Sequence, residues 1–110
     1  MMKKSNIFLN ISSDLQDEIF EDLVKKESFK LQRIISQGHT TPKDEWYDQD
    51  EDEWVMLVSG EAVLSFFDDE DVHLKAGDYI NIRAHKRHRV SWTKPDVETI
   101  WLALHSQSSE

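Results

Sequence analysis

The chain has 110 residues, 38% of them hydrophobic, with four Trp, two Tyr and five Phe. That is enough apolar material for one core, so a single domain over residues 1–110 is expected. A net charge of -9 excludes nucleic acid as an expected partner, since phosphates would meet a repulsive field except at one basic cluster, Arg83 to Arg89. The absence of cysteine excludes disulfides, thiolate catalysis and Cys-ligated zinc. No apolar run approaches the roughly 20 residues needed to span a bilayer, and Asn6, Asn10 and Ser12 interrupt the N-terminal apolar patch, which argues against a secretory leader. A cytoplasmic protein with no membrane partner is expected.

In chain order, Ser13-Asp14-Leu15-Gln16 has the form of a capping box, and Leu15, Ile19, Leu23, Phe20 and Val24 follow at helical spacing. The spacing predicts a short amphipathic helix over about residues 14–26. From Phe29 the period becomes two, with Phe29, Leu31, Arg33 and Ile35 alternating with Lys30, Gln32, Ile34 and Ser36 until Gly38 and Pro42 end the run. Further strands are predicted over 53–59, 61–67, 72–75, 79–83, 89–93 and 99–105, separated by turn signals at Ser59-Gly60, Asp68 to Asp71, Ala76-Gly77-Asp78 and Lys94-Pro95-Asp96. Ser106 to Glu110 are polar and expected to fray. The fold class is therefore all-β, a sandwich or barrel over residues 28–105 behind an N-terminal extension, residues 1–27, that carries the helix.

Seven carboxylates fall between Asp44 and Glu53. They do not form an EF-hand: counted from Asp48, the sixth and twelfth positions are Glu53 and Ser59 where that loop needs Gly and Glu. Most are expected to be solvated loop charges. The informative spacing is Glu53, six residues, then Gly60, followed downstream by Gly77 and, eleven residues later, His88.

These residues resemble the cupin superfamily, whose motifs read G(X)5HXH(X)3-4E(X)6G and G(X)5PXG(X)2H(X)3N. The segments QGHTTP, WYDQDEDEWV, SGEA, GDYINI, HRVSWT and IWLAL look more narrowly like small bacterial single-domain cupins. The resemblance implies a double-stranded β-helix, or jelly-roll barrel, in which both motifs face one central cavity. It also implies a divalent metal, Fe, Mn, Ni or Zn, held by motif residues. Of the motif's strong ligands only Glu53 and His88 are present. The two histidine positions fall on Tyr47 and Gln49, or in the other spacing on Trp46 and Asp48; Arg83, His85 and Trp92 stand where the second motif has Pro, Gly and Asn. The candidate metal set is thus Glu53, His88 and either Gln49 or Asp48. The competing arrangement is a polar cavity in which Tyr47, Gln49, Glu53 and His88 satisfy one another.

Around this set, Tyr47, Arg83, His85, Arg89 and Trp92 are candidate ligand-binding residues. Arg83 or Arg89 would grip a small carboxylate at the rim, and Trp92, of the same parity as His88, would form cavity wall. His105 reads as structural. Trp54 should point away from the cavity if Glu53 points in, and such aromatic surface favours a homodimer. Two functions stay open: a metal-dependent enzyme of isomerase-like or oxygenase-like chemistry acting on a small polar substrate, with a metal-free epimerase using His88 as base and Tyr47 as acid as a subordinate version, and a metal-free module that binds or senses a small ligand.

Overall fold

The computed structural model describes residues 1–12 and 15–108 and contains, among them, eight strands and no helix. They are β1 (Ile19–Lys25), β2 (Phe29–Ser36), β3 (Glu51–Ser59), β4 (Glu61–Phe66), β5 (Val72–Lys75), β6 (Tyr79–Ile82), β7 (His88–Thr93) and β8 (Thr99–Gln107). A five-stranded sheet, in the order β1-β2-β8-β3-β6, faces a three-stranded sheet, β5-β4-β7. The pairings are antiparallel throughout, giving the jelly roll that the strand pattern and the resemblance implied.

The N-terminal helix is not formed. Ser13 and Asp14, which open its predicted cap, lie outside the described residues, but Ile19–Lys25 is a strand paired with β2 from Ile19↔Ile35 to Lys25↔Lys30. The spacing misled because four residues separate Ile19 from Leu23, which suits one face of a helix and equally one face of a strand. A register shift between Asp22 and Val24 then breaks the plain alternation by which a strand is recognised. Backbone pairing along the free edge of β2 decides the outcome over local propensity. The polar tail also differs from expectation: Ser106 and Gln107 extend β8, opposite Phe29 and Glu51.

Alternation directs one face of each strand between the sheets. Ile34, Val55, Leu57, Leu64, Phe66 and Trp101 form the centre of the core, each no more than 9% exposed. The opposite face of the large sheet carries Ile35 and Ile100, buried to 1% and 3%. Beside them Arg33, also buried, has its guanidinium in an ion pair with Glu21 at 2.6 Å and in hydrogen bonds to the carbonyls of Ile7, Leu9 and Asn10. Arg33 thereby fastens the segment before β1 onto the sheet.

Gly60 joins β3 to β4 with φ of +91°, and a Cβ there would come within 2.3 Å of Thr99 Oγ1. Both the left-handed backbone and the close approach demand glycine. The position of Gly60 after Glu53 is therefore set by how tightly this corner packs on β8.

Candidate functional site

Glu53 lies on β3 with the inward parity of Val55 and Leu57 and is 8% exposed. His88 opens β7 in the opposing sheet and is 5% exposed. The two meet across the barrel, His88 Nε2 standing 3.2 Å from Glu53 Oε1. His88 Nδ1 lies 2.8 Å from the Lys86 carbonyl. A carbonyl can only accept, so Nδ1 carries a proton and Nε2 is the nitrogen free to exchange one with the cavity. Burial opposes the charged imidazole, but the hydrogen bonds to Glu53 and to the Lys86 carbonyl, with the charge of Glu53, outweigh it and leave the His88 pKa raised.

A cavity of about 280 Å³ opens onto this pair, with Tyr47, Gln49, Trp101 and His105 also on its wall. Tyr47 is held to His88 by a pair of backbone hydrogen bonds, and the two rings lie 5.7 Å apart. Partial burial of its phenol is the main cause raising its pKa; a hydrogen bond with Thr41 lowers it, and the charges of Glu18, Glu53 and Glu45 add to the rise. Tyr47 is therefore a neutral hydroxyl at neutral pH. Two buried polar atoms on the wall, Gln49 Oε1 and Trp101 Nε1, have no hydrogen-bond partner in the described structure. One is an acceptor and the other a donor, both on residues of the cavity wall.

Of the two candidates at the substituted histidine position, Gln49 lines the cavity. Asp48 does not: its carboxylate turns outward to His85 Nδ1 at 2.8 Å, and that hydrogen bond is the main cause raising the pKa of the exposed His85. His85, with φ of +66°, in turn fixes the loop by donating its backbone N–H to the Gln49 carbonyl. The arginines lie elsewhere. Arg83 borders a separate open hollow with Asp69 and Lys86, and Arg89 donates to the Thr41 carbonyl while its guanidinium lies 5.8 Å from the Trp46 ring. The basic loop does meet acidic segments, through His85 with Asp48 and Lys86 with Asp68 and Asp69.

Trp92 is outside the cavity despite its parity. Leu64 pairs with Val90 but Val63 pairs with Trp92, so Ser91 is an extra residue that reverses the alternation. Trp92 instead meets the exposed His73 edge-on at 6.2 Å. Trp54 faces away from Glu53 and stacks near Tyr79 at 5.5 Å.

Cavity residues were also missed in the sequence, His105 and Lys30 among them. His105, 7% exposed, places Nε2 3.8 Å from Glu53 Oε2, opposite Glu53 in the β3–β8 register. The signal was a histidine sharing the parity of Trp101 and Ala103 in an otherwise apolar strand.

The donor set does not fit the metal that the resemblance implied. Glu53 and His88 bond to each other, His105 stands 3.8 Å from the same carboxylate, Tyr47 keeps its proton, and Gln49 offers only a neutral oxygen. Among the described residues no group of three His, Cys, Asp or Glu is placed to hold a metal ion, where divalent centres in proteins use three or more strong ligands.

Comparison with known proteins bears on the same residues. The family described as a cupin domain matches residues 32–105. The chain is similar in structure to a proposed mannose-6-phosphate isomerase from Ralstonia eutropha JMP134, with 40% identity over 97% of this chain and 100% of that one and a TM-score of 0.93. It is similar in fold to a cupin superfamily protein from Desulfitobacterium hafniense DCB-2, with 19% identity over 89% and 84% of the two chains and a TM-score of 0.75. An RmlC-like cupin protein from Desulfovibrio desulfuricans gives 17% identity over 96% and 97% and the same TM-score. No curated protein matches the chain significantly. With the domain matched over most of its length and the two motifs meeting in one barrel, the chain belongs to the cupin family.

Proposed function

We propose that the barrel cavity binds a small hydroxylated molecule and that Glu53 and His88 act on it as an acid–base pair in an isomerase-type reaction. The observation that carries this reading is the buried contact between His88 Nε2 and Glu53 Oε1, with the other ring nitrogen anchored on a carbonyl. Such a pair holds one mobile proton between two groups that both face the cavity. Glu53 takes a proton from a carbon beside a carbonyl, and His88 delivers one to the carbonyl oxygen. The volume of about 280 Å³ falls just under the range of small-ligand sites, roughly 300 to 1,000 Å³. The 40% identical protein described as a proposed mannose-6-phosphate isomerase makes a sugar phosphate the first substrate class to test.

The test is incorporation of solvent deuterium into mannose 6-phosphate, followed by NMR, with wild type, Glu53→Gln and His88→Gln. Exchange in wild type alone supports the reading. Binding without exchange in wild type would make the cavity a binding or sensing site and sink the isomerase. Elemental analysis of protein purified without a metal-affinity step belongs to the same test. A stoichiometric divalent metal that disappears in Glu53→Ala and His88→Ala would restore the metal-dependent alternative.

Homodimerisation is a proposal of the same kind. Trp54 and Tyr79 lie on the outer face of the five-stranded sheet, with Tyr79 67% exposed. Sedimentation equilibrium of wild type and Trp54→Ser decides it: two species of monomer mass would refute a dimer.

A further inference from the structure

We infer that the cavity takes its ligand by an anionic end group, a phosphate or a carboxylate, held by Lys30 with His105 beside it and Lys25 behind. The placement comes from strand register. Lys25 on β1 pairs with Lys30 on β2, Lys30 with His105 on β8, and His105 with Glu53 on β3. Residues directly opposite in adjacent strands share a face. Four strands therefore contribute one cross-sheet row that runs from two cations, through an imidazole, to the carboxylate that meets His88. Lys30, His105 and Glu53 all line the cavity.

Like charges opposite one another are unfavourable, and neither Lys25 nor Lys30 forms an ion pair among the described residues. The two carboxylates on β1 are committed elsewhere: Glu21 to Arg33, and Asp22 to Gln32 by a side-chain hydrogen bond of 3.0 Å. Glu18, also on the wall, bonds to Ser36 at the opposite end of β2. The Lys30 corner is thus the positive side of the cavity, with Glu53 across the same row and Glu18 at the far end of β2. A ligand anion at Lys30 would lie two strand spacings, about 10 Å, from Glu53, which suits a molecule whose charged group is several bonds from its reacting carbon. The partnerless Gln49 Oε1 and Trp101 Nε1 then serve hydroxyl groups.

The inference rests on the same cavity as the Glu53–His88 reading but is tested apart from it. Calorimetric titration of wild type with mannose 6-phosphate, mannose, inorganic phosphate and D-glycerate is compared with Lys30→Gln, Lys30→Arg and Lys25→Gln, each checked for fold by circular dichroism. At least one anion binds wild type, mannose binds much more weakly than mannose 6-phosphate if phosphate is the group, and glycerate binds if carboxylate is. Lys30→Gln weakens anion binding about tenfold or more, Lys30→Arg keeps most of it, and the exposed Lys25→Gln loses a few-fold. Unchanged affinity in Lys30→Gln, or in the Lys30→Met variant used should that one misfold, overturns the inference, as does a wild type that binds none of the anions. Glu53→Gln separates the two ideas: it keeps anion binding while losing deuterium exchange.

Discussion

Two buried polar groupings occupy opposite faces of one sheet, and they differ in how completely they are satisfied. Arg33, on the outer face, spends its guanidinium on Glu21 and on three backbone carbonyls of residues 7 to 10. The inner grouping leaves Gln49 Oε1 and Trp101 Nε1 without partners among the described residues and sets Glu53 between two histidines. A fully paired buried charge holds a fold together; an under-satisfied one is kept for something that binds. The difference separates structural from functional polarity in this barrel better than residue type does.

Substitutions can break that contrast, and the largest effect falls on turnover. Glu53→Gln or His88→Gln should lower kcat of the proposed isomerisation by about 10²- to 10⁴-fold, with KM moved far less; a raised KM with kcat unchanged would point to binding instead. On the outer face, Arg33→Met should cost about 3 kcal/mol, because it leaves Glu21 and the three carbonyls without their donor, and urea denaturation reads this as a lower midpoint. A midpoint within error of wild type would show the N-terminal segment to be held by other contacts. On the inner face the expectation reverses: Gln49→Leu should be neutral or stabilise by about 1 kcal/mol, since it removes an unsatisfied buried oxygen, while weakening ligand binding.

The smallest effect is in pH. His88 has a raised pKa in the fold, so the stability it contributes is complete below its unfolded value of about 6.5 and is lost as pH rises through the higher folded value. The NMR titration of its ring should have its midpoint above that of a free imidazole, and Glu53→Gln should bring it down. A midpoint unmoved by Glu53→Gln would mean that the Lys86 carbonyl alone sets it.

The strands from β2 to β8 were legible because alternation and turn residues mark them directly, and Glu53 and His88 were legible through their spacing to Gly60 and Gly77. What escaped was whatever depends on pairing between strands. β1 was hidden by an ambiguous four-residue spacing and a register shift, and Trp92 by the extra residue at Ser91. His105 and Lys30 enter the site because β8 lies between β2 and β3 in a fixed register; parity with Trp101 and Ala103 marks His105 only as facing inward, and nothing beside Lys30 in the chain marks it. Arg83 and Arg89 looked apt by charge alone, and the chain path carries them to other surfaces.

Ser91 occupies the irregular position in β7, its hydroxyl accepting from Ser65 and donating to the Val63 carbonyl. Had β7 continued with unbroken alternation, Trp92 would have faced Ala62, a residue with no exposed surface, and an indole would have had to enter the barrel. One serine outside the ladder register therefore keeps an indole out of the barrel, and a bulge next to Val90 on the cavity wall sets how much of the interior stays empty.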